Sequence, residues 1–234
     1  MKVTKLGTLV QKKRAILFDL FHTLIALELV PSGRPMTSEL LHVSQQSWNM
    51  QLFENSRDRL IGRMDDPMCM VREMAHAIDP TIPEETIQIA ARNRVERFAE
   101  ALEYVSGDSQ QVLCMLRGLN KKIGLISNAD VSEIAAWEKS PIAPLFDSAV
   151  FSCRVGCAKP EPDIYHICMR ELGVTPDQCI FVGDGASHEL EGAKNLGITT
   201  VMVTGMIGSD MILGRKQHAD YVIVQLMELV SGCS

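Results

Sequence analysis

The stretch Ala15-Ile16-Leu17-Phe18-Asp19-Leu20-Phe21-His22-Thr23-Leu24 begins with four apolar residues and breaks on an acid. A run this short, bounded by Arg14 and Asp19, suits a buried parallel strand better than a helix. Five further runs repeat the pattern, at 123–126, 149–151, 179–182, 200–203 and 221–224. Helical spacing fills the gaps. Val112, Leu113, Leu116 and Leu119 fall on one face of 109–119. Ile164, Ile167, Cys168 and Leu172 do so over 163–172, with Pro160 and Pro162 before the segment and Gly173 closing it. A third helix is predicted over 190–196, with Gly197 as its stop. Strand–helix alternation predicts an α/β fold, a doubly wound, Rossmann-like parallel sheet.

One region interrupts the alternation. From 27 to 105 the sequence offers amphipathic helical patterns at 39–52, 66–78 and 83–104 and no strand. Pro31, Gly33 and Pro35 mark its entrance, and Gly107 follows its exit. The expected organisation is a core of residues 1–26 and 106–234 with a helical cap of residues 27–105. Ligands of open α/β sheets bind beyond the carboxyl ends of the strands. A cap leaving from the end of the first strand would cover that site.

Composition narrows the partners. With 46% hydrophobic and 22% charged residues, the 234-residue chain has enough apolar mass for a core, and wholesale disorder is not expected. A net charge of −6 argues against nucleic acid, whose phosphates need a basic face. A small anionic metabolite remains suitable, since a site can be locally positive on an acidic protein. No apolar stretch is long enough to span a bilayer. The N-terminal residues, with Lys2, Lys5, Lys12, Lys13 and Arg14, lack the apolar segment of a secretory signal. Seven scattered cysteines then read as reduced thiols, and Cys153 and Cys157 fall short of the four ligands of a structural zinc site. The expectation is a cytoplasmic monomer or homodimer without membrane or nucleic-acid partners.

Four segments, each following a predicted strand, carry the chemistry: Asp19 to Thr23, Ser127-Asn128, Lys159-Pro160 and Gly183-Asp184-Gly185. Parallel strands open onto one crevice, so these segments should converge. A carboxylate such as Asp19 can attack an electrophilic centre. The hydroxyl of Ser127, the amide of Asn128 and the ammonium of Lys159 can hold an anionic group. His22, beside the nucleophile segment, joins Asn128 as a substrate-contact candidate, and His188 is expected to line the fourth loop. Paired carboxylates at Asp19 and Asp184 suit a hard divalent cation such as Mg²⁺.

In order and spacing these segments resemble the haloacid dehalogenase superfamily. Asp19 stands at the place of its nucleophile, Thr23 at its threonine, Ser127 in its second motif, Lys159 in its third and Asp184 in its fourth. The helical insert resembles the family's C1 cap. The resemblance implies Asp19, Thr23, Ser127 and Lys159 as the catalytic set. It also implies Mg²⁺ held by Asp19, the Phe21 carbonyl, Asp184 and Glu189. One position departs from the pattern. Family phosphatases carry a second aspartate two residues after the nucleophile, as general acid and base; here it is Phe21. The 2-haloacid dehalogenases, which use no metal, carry an aromatic residue there but lack the metal-binding aspartate. The leading expectation is a Mg²⁺-dependent hydrolase of a small phosphorylated or phosphonylated metabolite. The alternatives are a metal-independent 2-haloacid dehalogenase and a weakly active or inactive binding protein on the same fold.

Overall fold

The computed structural model of the chain describes residues 5–27 and 33–233; Pro31 and the first four residues lie outside them. Six parallel strands form one sheet in the order β3-β2-β1-β4-β5-β6. They are β1 (Ala15–Phe18), β2 (Lys122–Ser127), β3 (Ser148–Phe151), β4 (Cys179–Gly183), β5 (Thr199–Val203) and β6 (Tyr221–Ile223). All six predicted strands are present within a residue or two of their expected ends. The order reverses direction beside β1, which pairs with β2 on one side and β4 on the other. That reversal opens the crevice in which α/β folds bind ligands.

Alternation along each strand divides the core in two. Ile16, Phe18, Ile123, Leu125, Ile180 and Val182 face one layer. Ala15, Leu17, Ile126, Phe181 and Met202 face the other. Helices cover both layers: α1 (Lys5–Lys12) and α7 (Gly107–Gly118) on the first, α10 (Pro162–Leu172) and α11 (Glu189–Asn195) on the second. The helix α1 has no counterpart among the sequence expectations, because its basic residues mask Leu6 and Val10. These stand four apart and bury on one face. Gly124 permits close contact of α10 with the sheet, since a Cβ there would lie 2.6 Å from Cys168 Sγ.

Between β1 and β2 the described residues form helices α2 (Thr37–Leu40), α3 (Gln45–Glu54), α4 (Arg57–Leu60), α5 (Pro67–Ile78) and α6 (Glu84–Glu103). Leu41, Trp48, Val71, Ala75, Ile82 and Ile87 build a separate small cluster among them. Ala101, Leu102 and Val105, by contrast, pack into the main core. The continuous helix expected over 39–52 is broken. His42 sits at φ 55°. Ser44, in extended backbone, accepts the Ser47 amide at 3.0 Å and caps a new helix. The hydrophobic spacing runs through this point, but a serine able to satisfy the free amides of a helix start competes with continuation. No helix among the described residues is long and apolar enough to cross a membrane.

Candidate active site

The C-terminal ends of β1, β2 and β4 and the segment after β3, which opens with the short helix α9 (Ser152–Val155), bring Asp19, Ser127, Lys159 and Asp184 toward one point. Asp19 continues β1 by one residue, its amide donating to Val182 O at 2.9 Å. Thr23 Oγ1 donates to Asp19 Oδ2 at 3.1 Å. Lys159 Nζ donates to Asp19 Oδ1 at 2.5 Å and to Glu189 Oε2 at 2.5 Å. Asp19, Asp184 and Glu189 are buried, and each offers a carboxylate oxygen within 4.8 Å of the other two.

Backbone features hold this arrangement. Gly183, the last residue of β4, leaves the space that Glu189 fills: a Cβ there would stand 2.0 Å from Glu189 Oε1. The Gly185 amide donates to the same oxygen at 2.9 Å, and Tyr165 OH donates to Glu189 O at 2.7 Å. Asp184 Oδ1 accepts the Ala186 amide at 2.9 Å, while Oδ2 is paired with Arg215 at the end of α12 (Ser209–Arg215). Each carboxylate oxygen has a second lone pair, so these contacts leave room for a cation.

The electrostatics follow from burial with incomplete compensation. Three carboxylates face two cations, Lys159 and Arg215. Burial pushes the Glu189 carboxyl up to about 8; Lys159 opposes this, and Asp19 and Asp184 add to it. Burial also raises Asp19, with Lys159 pulling down and Asp184 pushing up. Burial disfavours the Lys159 charge, but Asp19 and Glu189 outweigh it and hold the ammonium above the usual lysine range. Three buried carboxyl groups, two of them pushed up by burial and by one another, fit a hard divalent cation, whose charge would favour their ionised forms.

Ser127 supplies an independent sign. Its Oγ is buried and has no hydrogen-bond partner among the described residues. An unsatisfied buried hydroxyl costs about 1–3 kcal/mol, which a bound acceptor would recover.

Asn128 has a structural task. Its Oδ1 accepts the Lys159 amide at 2.7 Å and its Nδ2 donates to Lys159 O at 2.9 Å. The side chain thus clamps the backbone that carries the lysine. It also lines a cavity of about 430 Å³ that residues of α3, α4 and α6 line as well. Phe21 and His22 line this cavity as well, with His22 at φ 58° and its amide on Ile25 O. Phe21 meets Phe98 of α6 edge to face, with ring centroids 5.5 Å apart. His188 is exposed and lies 3.2 Å from Glu191, away from the carboxylate cluster.

A buried ionic cluster beside the cavity has no counterpart in the sequence analysis. Asp130 Oδ2 accepts from Arg59 of α4 at 2.6 Å and from Arg94 of α6 at 3.0 Å. Arg94 also donates to Glu133 at 2.6 Å. Asp130 caps the short helix α8 (Val131–Ile134), its Oδ1 accepting the Ser132 and Glu133 amides. The spacing Asp130-x-x-Glu133 is a legible capping signal. Its arginine partners, remote in the chain, carry none.

The profile of the haloacid dehalogenase-like hydrolases matches residues 7–197. The glyceraldehyde 3-phosphate phosphatase of Pyrococcus furiosus is 30% identical over 125 residues, covering 52% of this chain and 51% of that protein. The chain thus matches about half the length of this curated relative. Two solved structures share the fold. The L-2-haloacid dehalogenase from Xanthobacter autotrophicus has a TM-score of 0.63 at 20% identity, covering 94% of this chain and 97% of that one. A HAD phosphatase from Thermococcus onnurineus has a TM-score of 0.60 at 24% identity, covering 93% and 96%.

Proposed function

The chain belongs to the haloacid dehalogenase-like hydrolase family, and on that premise we propose that it is a Mg²⁺-dependent phosphatase of a small metabolite with Asp19 as nucleophile. The observation that carries this reading is the cluster of Asp19, Asp184 and Glu189, buried and short of compensating charge. A metal-independent dehalogenase has no use for that excess. Asp19, Asp184 and Glu189 would hold the cation, with the Phe21 carbonyl as a further oxygen ligand. Bound there, Mg²⁺ offsets the repulsion between an anionic nucleophile and an anionic substrate. Lys159 holds Asp19 in its ionised form and binds the transferring group. The unpartnered Ser127 hydroxyl donates to a phosphoryl oxygen, and Thr23 orients the nucleophile. Asp19 Oδ attacks phosphorus as the bond to the leaving oxygen breaks; water then cleaves the acyl phosphate and restores Asp19.

The metal assignment has a test that needs no turnover. A ligand bound only by the native state stabilises it, so Mg²⁺ should raise the melting temperature of the parent. Asp184→Ala should abolish that rise, and a variant that responds like the parent removes Asp184 from the site.

Phe21 shapes the expected activity. A positioned acid contributes typically about 10²–10⁴-fold at the leaving oxygen, and a phenyl ring supplies none of it. Aryl phosphates, whose leaving groups need little protonation, should be hydrolysed in Mg²⁺ much faster than alkyl phosphates. Phe21→Asp should raise the alkyl rate. An unmodified enzyme with equal rates on 4-nitrophenyl and ethyl phosphate would mean that another group supplies the proton. Phe21 also motivates the second reading, because a halide leaves from carbon without a proton. Turnover of 2-chloropropionate in EDTA, with none of 4-nitrophenyl phosphate in Mg²⁺, would establish that reading instead.

A further inference from the structure

Three arginines of the cap helices line the 430 Å³ cavity: Arg59, Arg94 and Arg97. Two of them are paired with buried carboxylates. Arg59 is bound by Asp130 and the Leu52 carbonyl, and Arg94 by Asp130, Glu133 and Ser132. Arg97 differs. It stands on α6 one turn beyond Arg94, is half-buried, and has no hydrogen bond or ion pair among the described residues. Glu39 is near enough for its charge to be felt, but its carboxylate accepts the Met36 amide at 2.7 Å. Burial and the Arg94 charge both press Arg97 below the usual arginine range. A desolvated guanidinium beside a second one is costly unless an anion meets it. Asp130 and Glu133 are taken up by Arg59 and Arg94, which leaves Arg97 as the cavity arginine with no hydrogen-bonded carboxylate among the described residues.

We infer that Arg97 binds a carboxylate on the substrate, at the end remote from the reacting group, so that the substrate is a small phosphorylated carboxylic acid. This identification of the substrate rests on the phosphatase reading; the anion subsite itself does not. The planar guanidinium fork matches a carboxylate in two parallel hydrogen bonds. One guanidinium without a hydrogen-bonded anion matches a monoanionic group, whereas a second phosphate would bring further negative charge beside Glu39 and Glu133. Phe21, Trp48 and Phe98 leave an apolar passage for the body of the molecule, and Asn128 marks the end next to Lys159. The subsite discriminates as polar subsites do: a ligand without the carboxylate leaves a half-buried cation unpaired.

The test compares two non-hydrolysable probes by calorimetry in Mg²⁺ buffer: 3-phosphonopropionate, and propylphosphonate, which lacks the carboxylate. The parent should bind the first at least about tenfold more tightly, the scale of a hydrogen-bonded charge pair. Arg97→Met, similar in length and uncharged, should reduce the preference to within about twofold. Arg97→Lys, which keeps the charge but loses the fork, should retain part of it and guards against loss of fold in the first variant. Equal affinity for both probes in the parent overturns the inference, as does an undiminished preference in Arg97→Met. Hydrolysis of 4-nitrophenyl phosphate separates the two proposals. Turnover without the carboxylate preference refutes the Arg97 subsite alone. An Arg97-dependent preference in a protein that hydrolyses no phosphate ester refutes the proposed reaction alone.

Discussion

Asp19→Asn is expected to lower kcat on 4-nitrophenyl phosphate by on the order of 10⁴-fold or more, and to leave the melting temperature in EDTA no lower than that of the parent. The two halves of this expectation have one source. Asparagine keeps the volume and can still contact Thr23 and Lys159, but its amide oxygen is too weak a nucleophile to form the covalent intermediate. The same change relieves the site. Asp19 is buried with Asp184 and Glu189, and among the described residues Lys159 and Arg215 are the cations paired with the three. With one carboxylate neutralised, two negative charges face two positive ones, and Lys159 retains Glu189 at 2.5 Å. A residue whose task was to hold the fold would show the opposite pairing, lost stability with activity following it. Asp19→Ala, which cannot revert by deamidation, provides the control. Activity within tenfold of the parent in both variants would remove Asp19 as nucleophile.

Asp130→Asn is expected to cost about 3–5 kcal/mol of stability, the range for removing one partner of a buried ion cluster. For a chain of this size that corresponds to a fall of roughly 6–20 °C in Tm. Asp130 is fully buried, and its loss leaves Arg59 and Arg94 facing each other with Glu133 as their one remaining carboxylate. Because these arginines belong to α4 and α6 and the acids to the segment after β2, the damage should fall on the docking of α4 and α6 against that segment. Susceptibility of residues 33–105 to proteolysis should rise first. A double-mutant cycle with Arg94→Met should give a combined cost well below the sum of the two, since the removed charges neutralise each other. Additive costs would mean that the pair does not interact. The cluster also sets an acid limit. Burial would raise the Asp130 carboxyl, but Arg94 and Arg59 overcome this and hold it down at about 2, below its ordinary 3.8. A depressed carboxylate contributes stability above its unfolded value and loses it as the folded group is protonated. This contribution, on the order of 2 kcal/mol, should therefore be complete above about pH 4 and disappear toward pH 2 in the parent. It should be missing from Asp130→Asn, which acid titration of the two melting temperatures would detect.

Residue patterns along the chain were enough for the six strands, their parallel class, the helical character of residues 37–103 and the candidacy of Asp19, Ser127, Lys159 and Asp184. These are local properties: a buried strand announces itself as a short apolar run, and Asp19 and Asp184 follow directly on strand ends, Ser127 closes one, and Lys159 lies in the segment after β3. The break at Ser44 escaped the sequence analysis because a capping hydroxyl and a hydrophobic period compete there, and only the folded backbone decides between them. Tertiary structure alone decided which charges meet. Asp130 finds Arg59 and Arg94 from 71 and 36 residues away, and Lys159 reaches Asp19 across 140. Nothing in the composition of either segment specifies such a pairing; it depends on strand order and on where the cap helices come to rest. The same holds for the space that Gly183 leaves to Glu189, for the clamp of Asn128 on Lys159, and for Arg97. An arginine among arginines in the sequence, Arg97 acquires its meaning because the fold supplies its neighbours with anions and leaves it facing the cavity.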